Sequence, residues 1–314
     1  MKISGFSMVR NGIKLYYPVV EMIKSILPIV DEFVIAIGEG NDDTRERVAS
    51  IGDPKIKIID TKWDLEKYPR GMENAHQTDI AKNACSGDWL FYLQADEVIH
   101  EKYLKNIKAD CEKYLNDKGI EGLLFKYRHF WGDYDHYHAG HGWYPHEIRI
   151  VRNDPEIHSW ESAQSFRRIP NFGGINYRQQ DGTFKLKVAL IDAYVYHYGW
   201  VRPPNLMVNK KKALDTVHKG EKRVEEMYRD KSNEFDYGPL DRLAVFTETH
   251  PEVMKEIIAE MNWKDKLQYS GKPSEERELH KHERFRYRFL SFIEKYLNCS
   301  KQIGGFRNYI LVKK

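Results

Sequence analysis

The sequence predicts an α/β fold built on a mostly parallel, doubly wound central sheet flanked by helices. Three observations lead there. Through the first hundred residues, apolar runs of strand length alternate with segments of helical period. The runs FVIAI (33–37) and WLFYL (89–93) are apolar throughout, as strands covered on both faces must be. The segments between them are short, and strand–helix–strand repetition with short loops produces parallel pairing.

Residues 3–9 form the first strand. Residues 15–27 follow with apolar side chains at helical spacing (Val19, Val20, Ile23, Ile26, Leu27), and Pro28 lies just beyond. After the 33–37 strand comes the loop Gly38-Glu39-Gly40-Asn41-Asp42-Asp43, where Asp42 or Asp43 can cap a helix reaching about Ile51. Residues 56–59 are a third strand and 74–85 a helix stopped by Ser86-Gly87-Asp88. The fourth strand, 89–93, ends in Gln94-Ala95-Asp96-Glu97. Ligands of such sheets bind beyond the C-terminal strand ends, and two acidic loops, 39–43 and 96–97, fall there.

Further on, 101–116 reads as a helix, 122–130 as a strand, 131–146 as a loop dense in aromatics and histidine, and 147–151 and 188–197 as strands. From 205 the chain is charged and helical in period, broken at Gly238-Pro239, Pro251 and Gly271-Lys272-Pro273. This predicts a catalytic domain over 1–204 and a helical C-terminal extension over 205–314.

Hydrophobic residues make up 41%, enough for a sizeable core, and 50 basic against 47 acidic side chains leave a net charge of +3, which gives no argument for wholesale nucleic-acid binding. Cys85, Cys111 and Cys299 form no CxxC pair, as in a reducing compartment without a disulfide framework. The opening MKISGFSMVRNG lacks the apolar run of a secretory signal, and no stretch has the ~18 apolar residues of a membrane span. A cytoplasmic protein is expected, at most attached to the inner face of a membrane. Aromatics reach 13%, suiting either sugar stacking or a tyrosine-rich core.

The segment GDWLFYLQADEV (87–98) resembles the Gly-Asp-Trp, apolar strand, Asp-x-Asp-Glu element of family 2 glycosyltransferases. The preceding elements fall in matching order, and the likeness spans about residues 1–200. It implies a GT-A (Rossmann-like) fold and sugar transfer from a nucleoside-diphosphate sugar to a saccharide or glycolipid hydroxyl, in the manner of the lipopolysaccharide-core and cell-surface-glycan branch. By resemblance Asp96 coordinates Mn2+ or Mg2+, hard cations that seek carboxylate oxygen and offset charge on a leaving diphosphate. Gln94 stands where the first acid of the motif belongs, contributes no charge, and is left to contact ribose or base. Glu39 takes the place of an Asp-Asp-Gly-Ser acid, Ser7 that of a polar base contact, and Asp79 part of a donor-side Arg-Asn pair, with Arg70 upstream as a replacement positive charge. His197, before Tyr198-Gly199, completes the metal shell and favours Mn2+, and Arg202 clamps the diphosphate.

The stretch 148–161 resembles that branch's strand, basic turn and His-x-x-Glu segment. It implies Glu161 as the base that takes the acceptor's proton in an inverting transfer, with His158 and Trp160 shaping the acceptor site and Glu147 competing as base. In the 128–146 loop, Trp131 and Trp143 are sugar platforms. The closely spaced His136, His138 and His141 belong either to a lid over the donor or to a second metal site. Each position has a plainer alternative: Asp96 as a helix cap, Glu161 as a surface carboxylate, His197 as a core histidine, and the 131–146 loop as aromatics packed on the core. Phe285, Phe289, Phe292 and Tyr296 recur at helical spacing among Arg284, Arg286, Arg288 and Lys295. Such a helix within 281–297 either docks its aromatic face on the catalytic domain, the favoured alternative, or lies on an anionic membrane. Rival functions are a sugar-phosphate nucleotidyltransferase, for which SMVRNG (7–12) is a poor glycine-rich loop, and a non-catalytic carbohydrate-binding protein.

Overall fold

The structure is a computed structural model that describes residues 1–298, 302–305 and 307–313. Its first elements are β1 (Ile3–Val9), α1 (Val19–Ile26), β2 (Glu32–Gly38), α2 (Thr44–Ala49), β3 (Ile56–Thr61), α3 (Met72–Asn83) and β4 (Trp89–Tyr92). Then follow β5 (Glu97–Ile99), α4 (Leu104–Tyr114), β6 (Gly122–Trp131), β7 (His136–His138), β8 (His146–Arg152), β9 (Ile157–Trp160), β10 (Ser165–Arg168) and β11 (Phe184–Trp200). The last are α5 (Pro204–Lys219), α6 (Glu221–Tyr228), β12 (Ala244–Val245), α7 (Lys255–Ala259), α8 (Phe285–Leu297) and β13 (Tyr309–Leu311).

This is a mixed α/β fold around one large curled sheet, ordered β3-β2-β1-β4-β8-β6-β11-β10-β9. The first four strands pair in parallel, as the helical crossovers between them require. β8 enters antiparallel between β4 and β6, and β9 and β10 add an antiparallel ribbon on β11. The sequence predicts no strand over 157–168, because these two are only four residues each. The helix expected from residue 15 starts only at Val19, since 11–16 form turns and Pro18 stands at the helix entry.

One core lies between α1, α2, α4 and one face of the sheet, and a second between α3 and the other. A third, mostly aromatic, joins Trp131, Tyr196 and Tyr198 to Tyr237, Leu240, Met254 and Trp263. Trp263 and Trp131 each donate their indole N–H across this seam, to the Gly132 and Tyr237 carbonyls, both at 2.9 Å. Burying one such ring stabilises by roughly 2–3 kcal/mol. Residues beyond 204 therefore share a core with the sheet instead of hanging from it. Cys85 and Cys111 are buried free thiols, and Cys299 lies outside the described residues. Among the described residues no helix is long and apolar enough to cross a membrane.

Candidate active site

β1 and β4 end side by side, and beyond their C-terminal ends a cleft of about 530 Å3 opens. Its floor carries Gln94, Asp96, His197 and Lys210, and Trp63, Trp143 and Trp200 stand in its walls. The turn that delivers Asp96 is pinned from within the protein. Glu97, wholly buried, holds Arg149 through two bonds of 2.7 and 2.8 Å, takes the Tyr127 hydroxyl at 2.8 Å, and accepts the Gln94 amide at 3.0 Å. Glu97 thus belongs to the scaffold while its neighbour Asp96 faces the cleft.

Sheet register assembles the rest. β5 lies antiparallel on β11 with Glu97 opposite His197, and β6 lies parallel to it with His129 opposite His197. His129 Nε2 is 2.8 Å from the Tyr144 carbonyl and must donate there, so its Nδ1 accepts from His197 Nδ1–H at 2.9 Å. This relay leaves the lone pair of His197 Nε2 on the side of Asp96 Oδ1, 3.7 Å away. Burial, opposed by Asp96, holds the His197 imidazole down at about 4, and burial together with His197 holds His129 at about 3, so both rings are neutral near pH 7. Gly199 closes the corner. A Cβ there would stand 2.5 Å from His197 Nε2 and 2.9 Å from Asp96 Oδ2.

The other carboxylate oxygen is taken. Lys210 Nζ donates to Asp96 Oδ2 at 2.8 Å and to the Gly199 carbonyl at 2.6 Å. Lys210 sits on the α5 face that also presents Met207, Leu214 and Val217 to the cleft. Burial would raise the Asp96 carboxyl, but Lys210, His197 and Arg202 outweigh it and keep the group well below the usual range. Arg202 is fully buried behind this floor. Its Nη1 donates to the Leu15 carbonyl at 2.6 Å, Nε and Nη2 make no hydrogen bond, and its guanidinium lies 5.0 Å from the Tyr17 ring centre.

Asp96 Oδ1 and His197 Nε2 suit a divalent cation. Both are acceptors, and two ligand atoms ~2.0–2.2 Å from one ion stand roughly 3–4 Å apart. Only these two such side chains converge among the described residues. Among the described residues no group of three or more His, Cys, Asp or Glu forms a metal cage, so ligands from outside the chain would complete the shell.

Of the residues singled out in the sequence, Gln94, Asp96, Trp143 and His197 line the cleft. Glu161 sits beside it, half-exposed in the β9–β10 turn with a left-handed backbone (φ 58°), next to Ser162 and Gln164, which do line it. The guanidinium of Arg178 is 4.0 Å from Glu161. Ser7 is not available to a ligand, because its hydroxyl is spent on the Leu93 carbonyl at 2.6 Å and β1 turns it into the core. Glu39 is exposed on the β2–α2 loop near Lys62, at a separate shallow depression. Only its carbonyl reaches toward the cleft, accepting from Arg10 Nε at 2.9 Å. Arg70 is exposed in a left-handed turn, its carbonyl accepting from Arg178.

Asp79 and His158 pair with each other at 2.7 Å, and Asp79 also takes the Ser159 amide, so the two fasten α3 to β9 away from the cleft floor. Trp160 is buried under the Arg167 guanidinium, 3.9 Å from its ring centre, and Trp131 is buried in the third core. Neither offers a face to a sugar. Glu147 is buried against the Ser165 hydroxyl and pushed up to about 6 by burial, outside the cleft lining. The histidines of the 131–146 segment disperse. His136 bonds Asp133, His141 bonds Glu294, and His138 stacks on Trp143.

Sequence reasoning missed Lys210, Trp63 and His129. Lys210 sits in an Asn-Lys-Lys-Lys run that reads as a solvated helix face. Trp63, two residues past the end of β3 and stacked by Arg10 at 5.4 Å, does carry a signal, since it follows a parallel strand's C-terminal end.

No protein-family model matches the chain, and neither does any curated protein. Among solved structures, S. aureus TarS 1–349 aligns with 14% identity and a TM-score of 0.39 over 72% of this chain and 69% of that one. The same fragment in complex with UDP-GlcNAc gives 14% and 0.37 over 72% and 70%. Glucosyl-3-phosphoglycerate synthase from Mycobacterium tuberculosis, in complex with Mn2+, UDP and phosphoglyceric acid, gives 20% and 0.29 over 41% and 43%, so this chain spans less than half of it.

Proposed function

We propose that the protein is a GT-A-type glycosyltransferase that transfers a sugar, with inversion, from a nucleoside-diphosphate donor to a saccharide or lipid-linked glycan in polysaccharide or lipopolysaccharide synthesis. The observation that carries this reading is the buried Asp96 at the rim of the parallel strands, set among Lys210, Arg202 and a neutral His197 under an aromatic cleft. Asp96 and His197 would hold Mn2+ or Mg2+, which when bound offsets the charge growing on the departing diphosphate. Trp63, backed by Arg10, offers a flat face for a base, and Trp143 and Trp200 offer faces for sugar rings. Glu161, at the rim and apart from the Asp96 cluster, takes the acceptor's proton. A non-catalytic binding protein would need the aromatic walls but not this charged floor. The catalytic part extends past 204, because α5 forms one wall of the cleft.

The acceptor reading draws on α8. Phe285, Phe289, Phe292 and Tyr296 are 80, 53, 55 and 62% exposed, so the docked-face alternative favoured from sequence does not hold. The helix packs instead through Ser291 and Glu294, which bind His141. The exposed stripe is flanked by Arg284, Arg286, Arg288 and Lys295, and Glu294, the one acid in the helix, is buried. We assign this face to an anionic lipid surface on the cytoplasmic side, where a lipid-linked acceptor would lie. The 139–144 segment that α8 holds leads to Trp143 and Tyr144 in the cleft.

A thermal-shift panel of UDP- and GDP-linked sugars with Mn2+ tests the core reading. At least one donor should raise Tm, and Asp96→Asn should remove the part of the rise that depends on Mn2+. No response from folded protein to any donor would overturn the assignment.

A further inference from the structure

The floor of the cleft holds an unbalanced charge. Lys210 is an ammonium and Arg202 a guanidinium, Asp96 is the one carboxylate that Lys210 meets, and the His197 ring gives its Nδ1–H to His129 and turns a bare Nε2 toward Asp96. One positive charge is therefore left uncompensated in a site where the Lys210 and Asp96 side chains are about a tenth exposed and Arg202 is fully buried. A buried excess charge is costly unless an ion of opposite sign arrives to meet it. The donors for such an ion are in place. Lys210 lines the cleft and uses two of its three N–H groups, on Asp96 and Gly199, while Arg202, buried behind it with Nε and Nη2 unbonded, adds its charge from below the floor. Both cations lie 5.0 Å from the centre of one ring, that of Tyr17.

We infer that Lys210, backed by Arg202, is a resident cation at the diphosphate position, so that the cleft binds a nucleoside diphosphate without a divalent metal. The inference rests on the proposed donor site and adds to it. The ammonium occupies Asp96 Oδ2 and leaves Oδ1 and His197 free, so a metal adds to affinity but is not its precondition. Lys210 is also fixed to the backbone at Gly199, which gives the charge a defined place in the empty cleft and lowers the ordering cost on binding.

The test is calorimetric titration of the full chain with UDP, GDP, CDP and ADP, in EDTA and in Mn2+. At least one should bind in EDTA, with Mn2+ tightening it by no more than about tenfold. Lys210→Met should weaken binding in EDTA by tenfold or more and make it strongly Mn2+-dependent, with Lys210→Arg recovering part of the loss. Wild-type binding that vanishes in EDTA and returns with Mn2+ would overturn the inference while leaving the donor site standing. No binding under either condition would remove the donor site itself. If Lys210→Met does not fold, the wild-type comparison in EDTA decides alone.

Discussion

Raising the pH through 8 should move stability and ligand affinity in opposite directions, and Lys210 is the reason. Burial first, then the neighbouring Arg202, push its ammonium down to about 8 against the pull of Asp96, from an ordinary value of 10.5. In the unfolded chain the lysine keeps its proton until the higher value. Between the two, the unfolded state binds more protons than the folded one, so stability rises with pH. About 2.5 pH units at about 1.4 kcal/mol each give roughly 3 kcal/mol gained by pH 10.5. Diphosphate binding needs the charged form and should weaken about tenfold per pH unit above 8, up to the higher value that the bound anion itself imposes on the lysine. The surrounding groups do not blur this. Asp96 is ionised and His197 neutral throughout, and burial raises Tyr17 far above this range. Urea denaturation at pH 7.5 and 9.5, compared between wild type and Lys210→Met, isolates the lysine from other titrating groups, and UDP titrations at the same pH values supply the second half. Equal pH slopes in the two proteins, or UDP affinity flat to pH 9.5, would refute the reasoning.

Glu161→Gln should lower turnover at least a hundredfold, the lower bound for losing a general base, with donor affinity within about twofold. Retained turnover would reassign the base. Arg286→Glu with Arg288→Glu should remove sedimentation with phosphatidylglycerol vesicles, since each basic residue at an anionic surface contributes about 1 kcal/mol. Neutral phosphatidylcholine should bind the wild type weakly, and a concentration-dependent dimer on gel filtration would instead assign the face to a second copy. His129→Leu removes the acceptor that orients His197 and should weaken Mn2+ binding in the presence of UDP by about 10–100-fold, read by calorimetry. Arg149→Met leaves Glu97 buried without its cation and should cost about 3–5 kcal/mol in denaturant unfolding.

The parallel half of the fold was legible because its strands are uniformly apolar and its helices periodic, and both patterns are local. Asp96 was legible for the same reason, since it follows a strand in a doubly wound unit. What failed was the inference from position to exposure. Ser7, Asp79, His158 and Trp160 stand where ligand contacts were expected. Which side of a strand or helix reaches the cleft, however, depends on partners more than 70 residues away for Ser7 and Asp79. The aromatic residues of 131–146 misled similarly. Trp131 and Trp143 are indistinguishable in sequence, yet one is sealed by Tyr237 and its neighbours and the other meets the cleft. Residue 204 looked like a boundary because polarity rises there, but amphipathic α5 turns its apolar side and Lys210 inward.

Gln94 and Lys210 bear on each other. Compared with an Asp-x-Asp floor, glutamine at 94 removes one negative charge, and the lysine of α5 adds a positive one 2.8 Å from Asp96. Both changes shift the site's charge in the same direction, by two units in all. An acidic pair left alone would repel a diphosphate until a dication bridged them. Here the single remaining carboxylate is already neutralised, and the surplus positive charge faces the cleft. The departure at 94, which read as a weakened metal site in the sequence alone, is what a floor with its own cation requires. A second carboxylate at 94 would cancel the excess charge that draws the diphosphate in.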